Sequence, residues 1–258
     1  MARVFITGSS DGLGRMAAQL LIEQRHSVVL HARNEQRGRE AVAAVPGAEK
    51  VVIGDLASIS QTRDVAAQVN ELGDFDAVIH NAGVGYREPQ RIATEDGLPH
   101  VFAVNTLAPC ILTALIRKPK RLVYLSSGLH QSGDASLKDL AWEQRQWRGQ
   151  QAYSDTKLHD VLLAFAMARR WPDVFSNALE PGWVATKMGG PGATDNLDAG
   201  HRTQAWLAVS TEPAAMVTGK YFYHMKRRTP NPATRDVKRQ EELLAACERF
   251  SGVEMPAN

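Results

Sequence analysis

The sequence is short of several things, and each shortage excludes something. Only two of its 258 residues are cysteine, Cys110 and Cys247, far apart and without CxxC or Cys/His spacing. Neither a disulfide framework nor a zinc site is therefore expected, no metal is called for, and a reducing compartment is the default. No apolar run approaches the length that spans a bilayer, and Met1-Ala2-Arg3-Val4-Phe5-Ile6 leads straight into a motif without the layout of a signal peptide. A cytoplasmic protein without a membrane span is the expectation. Charge of one sign is also lacking: 30 Lys and Arg against 28 Asp and Glu leave +2, too little for a nucleic-acid footprint. There is no long Pro/Gly/Ser linker, no internal repeat and no low-complexity tract, so residues 1–258 read as one domain. With 44% hydrophobic and 22% charged residues the chain has ordinary globular usage and is long enough for a sizeable core.

What is present is an alternation. Strand-sized apolar runs fall at residues 4–7, 27–31, 50–53, 75–79, 121–125, 175–179 and 219–223. Helical spacing lies between them, at residues 13–24, 58–72 and 155–170, the last with Leu158, Val161, Leu162, Phe165 and Ala168 on one side. Repeated β-α units with right-handed crossovers predict an α/β, Rossmann-like, doubly wound parallel sheet with helices on both faces. Two stretches resist the pattern, residues 128–151 and residues 187 to about 200, the latter with its pocket side extending to about 206. Both are expected as irregular excursions that wall a substrate pocket. Lys226, Arg227 and Arg228 read as a solvated turn before a terminal helix at about 237–250.

Directly after the first strand stands Thr7-Gly8-Ser9-Ser10-Asp11-Gly12-Leu13-Gly14, and a helix follows. Gly8 permits the tight turn, Gly12 lets backbone N–H groups approach a pyrophosphate, and Gly14 lets the helix close on the sheet. The alternative is a Gly-rich turn without ligand, but strand before and helix after favour dinucleotide binding. The second strand ends in Ala32-Arg33 where an acidic residue would hold the ribose of NAD. A guanidinium there can pair with a 2′-phosphate, so NADP(H) is preferred and NAD(H) is the alternative; an ordinary exposed arginine is the bland reading. Asp11 brings a negative charge into the loop unless it simply caps the helix. Asp55-Leu56 closes the third strand where a carboxylate could accept the adenine amino group, or could cap the next helix.

The chain resembles the short-chain dehydrogenase/reductase family over almost its whole length. The Thr7–Gly14 loop is similar to the family's glycine motif, His80-Asn81-Ala82-Gly83 to its Asn-Ala-Gly motif, and Tyr153-Ser154-Asp155-Thr156-Lys157 to Tyr-x-x-x-Lys. Ser126-Ser127 follows the fifth strand and Pro181-Gly182 the sixth. The resemblance implies a catalytic tetrad of Asn105, Ser127, Tyr153 and Lys157, with Asn105 anchoring a water that leads protons to Lys157. It also implies a cofactor site in which Ser10, Leu13, Asn81, Ala82, Gly83, Pro181, Gly182, Val184 and Thr186 join the residues above, and in which Lys157 binds the nicotinamide ribose. The spacing of 26 positions between Ser127 and Tyr153 is similar to the retinol-dehydrogenase-like branch.

Simple chemistry agrees. Tyr153 and Lys157 are four apart on a predicted helix and share a face. A free phenol, with a pKa of about 10, gives up its proton reluctantly near neutrality, and an ammonium at about 4 Å favours the phenolate by about 4 kcal/mol at an effective dielectric of about 20. Reduction of a small, apolar-compatible carbonyl or oxidation of the alcohol is the leading reading, and a homo-oligomer is compatible with it. A non-catalytic NADP(H)-binding sensor is the rival, which the intact tetrad disfavours; an epimerase or dehydratase fits the short C-terminal region less well. Trp142, Trp147, Trp183 and Trp206 are either walls of an apolar pocket or core residues. His80 replaces a more usual Asn and His130 reads as a loop residue, not a second base.

Overall fold

A computed structural model describes residues 1–257. Seven parallel strands and one antiparallel strand form a single sheet in the order β3-β2-β1-β4-β5-β6-β7-β8. They are β1 (Arg3–Ile6), β2 (Ser27–Ala32), β3 (Lys50–Ile53), β4 (Ala77–His80), β5 (Arg121–Leu125), β6 (Phe175–Glu180), β7 (Tyr221–Tyr223) and β8 (Lys226–Arg228). Each predicted run contains a strand, displaced by one or two residues at the ends. The exception is β8, because Lys226 to Arg228 pair with β7 instead of forming a solvated turn. Their side chains stay exposed, which explains a basic composition at a sheet edge.

Strand side chains alternate between two cores. From β1, Phe5 joins the larger core, while Val4 and Ile6 join the other. The second core is covered by α1 (Gly12–Glu23), α2 (Glu35–Ala44) and α7 (Leu197–Val209), and the first by α3 (Ile59–Glu71), α4 (His100–Phe102), α5 (Ala108–Leu115), α6 (Gly149–Arg170) and α8 (Val237–Ser251). Local caps set their starts: the side chains of Asp11, Asn34, Ser58, Asn196 and Asp236 each accept a first-turn N–H. Between α4 and α5 the helix widens into a π turn over Ala103–Leu107, a feature frequent at functional sites.

Two boundaries depart from expectation. Residues 197–206 belong to α7, not to an irregular excursion, because Asn196 caps a helix that packs on α1. Helix α6 begins at Gly149, so Tyr153 stands in its second turn. Nor does α6 show only one buried face: every residue from Ala152 to Met167 is buried. Its polar side chains are held accordingly. Ser154 Oγ donates to the Gln150 carbonyl, His159 meets Thr106 Oγ1 at 3.1 Å, and Asp155 accepts from Arg145 at 2.8 Å. Arg145 in turn stacks on Trp142 at 3.6 Å. The central acid of the Tyr-x-x-x-Lys segment thereby fastens the excursion before α6 to the helix that carries the site.

Candidate active site

The strand order reverses between β1 and β4, and a cleft of about 580 Å³ opens there at the carboxyl ends of the strands. Such switch points are where doubly wound sheets take their ligands. Gly8 leaves β1 at φ +62, and a Cβ on it would stand 2.8 Å from the Ala82 Cα. A Cβ on Gly14 would come within 2.3 Å of Asn81 Nδ2. That amide donates to the Thr7 carbonyl at 2.9 Å and the Gly8 carbonyl at 3.1 Å, so Asn81 latches the glycine loop to the end of β4. Gly14 therefore acts through packing and does not line the cleft.

His31 supports the same loop, a role the sequence reading missed. The Gly8 N–H donates to its Nδ1 at 2.9 Å, and its Nε2 bonds the Gly54 carbonyl at 2.9 Å. Burial lowers its pKa to about 4, so the ring is neutral with its proton on Nε2.

Asp11 does cap α1, accepting from the Gly12 N–H at 2.8 Å. Its other oxygen pairs with Lys187 and lies 3.3 Å from Arg37. The Lys187 hydrogen bond holds its carboxyl below the usual range, and the charge is compensated where it stands. Exposed Arg33 lines the same end of the cleft, as do Ser10, Asp55 and Leu56. Arg37 and Lys187 were not foreseen. Arg37 had a signal, since it lies three residues beyond the Asn34 cap at the second strand's end; Lys187 had none, because only the fold brings it to Asp11. Asp55 Oδ1 accepts from the Ala57 N–H at 3.0 Å, and the cap of α3 is Ser58.

At the other end of the cleft Lys157 is buried, donating to the Leu125 carbonyl at 2.7 Å and to Asp160 Oδ2 at 2.8 Å. The amine lies 5.7 Å from the centre of the Tyr153 ring, on the same side of α6, and both residues line the cleft. Ala82, Gly83, Pro181 and Thr186 line it too. Burial pushes the Tyr153 phenol above its ordinary range; the Lys157 cation offsets part of that, while Asp160 adds to it. The simple expectation of an acidified phenol is corrected here: desolvation of a buried hydroxyl outweighs one cation that already has an anion beside it. Asn105 sits in the π turn and does not line the cleft. Its side chain accepts from the Val84 N–H at 2.8 Å and donates to the Val84 carbonyl at 3.2 Å and Thr156 Oγ1 at 3.1 Å. It ties the loop after β4 to α6.

Beyond Tyr153 lies a second cavity of about 810 Å³, lined by Ser127, Tyr86, Leu129, Trp183, Met188 and Tyr223 among others. Gly182 and Val184, expected at the cofactor, line this cavity instead; Leu13 borders both. Of the five tryptophans only Trp183 lines it. Trp142 and Trp147 meet edge to face beside Tyr153 with ring centres 5.1 Å apart, and Trp206 packs on Phe222. His80 points into the core, stacked on Tyr124 and bonded to Thr113. His130 is a buried tie: it bonds the Ser127 carbonyl at 2.7 Å and accepts the Asn231 N–H at 3.2 Å, joining the loop after β5 to the segment before α8.

A short-chain dehydrogenase from Gibberella zeae is 42% identical over 261 residues, covering 100% of each chain. This chain belongs to the short-chain dehydrogenase family. A family model described as short chain dehydrogenase matches residues 2–128. Human retinol dehydrogenase 13 is 30% identical, covering 98% of this chain and 86% of its own, a likeness to the retinol-dehydrogenase-like branch. The fold is shared with a blue fluorescent protein from a metagenomic library, solved in complex with NADPH, at TM-score 0.69 and 20% identity, over 86% of this chain and 95% of that one. As a short-chain dehydrogenase the protein is an oxidoreductase of small molecules that uses a nicotinamide cofactor. The cleft fits such a dinucleotide: a strained glycine turn and a helix N-terminus at one end, cations beside them, and a buried lysine with one proton left to donate at the other.

Proposed function

We propose that the protein is an NADP(H)-preferring carbonyl reductase or alcohol dehydrogenase. The observation that carries this reading is the position of Tyr153, which lines both cavities, with Ser127 beside it in the second. A group held in one cavity can thus exchange a proton with a molecule in the other.

The nicotinamide, when bound, supplies or accepts the hydride. Tyr153, kept protonated near neutrality by its burial, donates its proton to the carbonyl oxygen. Ser127 donates a hydrogen bond to that oxygen as negative charge grows. Lys157, fixed by Leu125 and Asp160, turns its third N–H toward the cleft and holds ribose hydroxyls there. Arg33, Arg37 and Lys187 favour a 2′-phosphate over a bare ribose, since these three cations outnumber Asp11 and Asp55, the acids lining that end. The direct test follows NADPH absorbance with purified protein and a panel of aldehydes, ketones and quinones, with Tyr153→Phe as control. Turnover that survives in the Phe variant removes Tyr153 as acid; no turnover with any compound returns the sensor reading.

A further inference from the structure

The second cavity is walled largely by apolar and aromatic side chains, yet two acids stand among them, Glu180 and Asp195. Glu180 ends β6, one residue before Pro181, and is half-buried. Among the described residues its carboxylate has no hydrogen bond and no ion pair. Asp195, the other acid of this cavity, differs: its Oδ2 accepts the Trp183 N–H at 2.7 Å. Glu180 is also placed with care. Its Oε2 lies against Gly128, where a Cβ would be only 2.6 Å away, so the absence of a side chain beside catalytic Ser127 makes room for this carboxylate. Its register partner is Tyr223 on β7, another lining residue. The opposing charge that acts on it is that of Arg228, exposed on β8 and engaged over the Tyr223 ring.

A partly desolvated carboxylate left unpaired is costly, and an apolar side chain would serve equally well if the cavity took only apolar molecules. We propose that Glu180 selects the substrate: it accepts a hydrogen bond from a hydroxyl or protonated amine on an aromatic carbonyl compound whose ring lies along Trp183, Tyr86 and Tyr223. The inference rests on the oxidoreductase reading above and names its substrate class. Sites that hydrogen-bond a substrate hydroxyl discriminate strongly against the analogue lacking it.

The test uses matched aryl ketones and aldehydes that carry a phenolic hydroxyl, its methyl ether or an aminomethyl group, with ring position varied. We expect kcat/KM with NADPH to favour the phenol over its ether by roughly ten- to a hundredfold. In Glu180→Leu that ratio falls to about one. Glu180→Gln, whose amide oxygen still accepts, keeps part of the phenol preference but loses any preference for the ammonium. A ratio near one in the unaltered protein, or one that Glu180→Leu leaves intact, overturns the proposal. Should no compound turn over, the oxidoreductase reading fails separately, and Trp183 fluorescence titration with the same compounds still decides the role of Glu180. Tighter binding of donor-bearing compounds that vanishes in Glu180→Leu sustains it, and equal binding sinks it. A melt with NADPH present confirms folding of each variant, and the near-isosteric Gln variant carries the test if Leu unfolds.

Discussion

Lys157 Nζ stands 2.8 Å from Asp160 Oδ2, and both side chains are at most 5% exposed. Two charges so buried are tolerable only as a pair. Asp160 keeps Lys157 cationic and spends one of its three protons; the Leu125 carbonyl takes the second. What remains is a single N–H toward the cleft, so the pair fixes both the charge and the aim of the amine.

Asp160→Asn should therefore lower stability by about 3 kcal/mol, since it leaves a buried ammonium without its anion. Urea denaturation at pH 7 checks this. The same variant should move the alkaline limb of the kcat/KM profile to lower pH, because the amine then releases its proton more readily. An unmoved limb would assign Asp160 to packing alone.

Tyr153→Phe should cut carbonyl-dependent NADPH oxidation by about two to four orders of magnitude while leaving NADPH affinity within a few-fold. The phenyl ring preserves the contact with Tyr86, whose ring centre lies 5.7 Å away, so packing is retained and only the proton is lost. Fluorescence titration and initial rates separate the two effects.

Arg33→Ala and Arg37→Ala should each weaken NADPH by about 1.5–3 kcal/mol, the worth of a hydrogen bond to a charged group, and NADH far less. Arg37→Ala has a second consequence, because it removes one of two cations from Asp11. Calorimetric titration with both cofactors is the measurement; equal losses for both would end the 2′-phosphate assignment.

The three most strongly shifted of the buried histidines make stability depend on pH. Desolvation lowers His31 to about 4 and His80 and His159 to about 3, against about 6.5 in the unfolded chain. The unfolded state thus binds more protons between about pH 3 and 6.5, and stability rises with pH across that window. Asp160, raised to about 7 by burial, works in the opposite direction between its ordinary value and 7, as do the raised carboxyls of Asp155 and Glu180, while lowered His130 and His201 add to the histidines' side. The unfolding free energy from urea denaturation should climb by an amount on the order of several kcal/mol from pH 4.5 to 6.5. His80→Gln should flatten the climb, since it removes one of the three titrations.

The strands were legible in the sequence because a parallel sheet covered on both faces demands continuous β-branched runs, and residues 50–53 and 121–125 coincide with β3 and β5. The helix termini were less so. Residues 197–206 read as irregular beside Gly189, Gly190, Pro191 and Gly192, although Asn196 is the cap that starts α7. Helix α6 hid its full burial because its polar residues find partners on other elements, which no periodicity displays.

At the site, the amino-acid order alone determined that a glycine turn follows the first strand and that Tyr153 and Lys157 share a helical face, since both depend on neighbours within a few residues. Only the tertiary structure decided the electrostatics. It brought Lys187 and Arg37 to Asp11, set Asp160 against Lys157 in a medium too dry to screen either, raised the Tyr153 phenol by burial, and left Glu180 unpaired beside Gly128. Charge and solvation depend on distances through space between residues up to 176 positions apart in the chain, and the sequence carries no record of those distances until the sheet has closed.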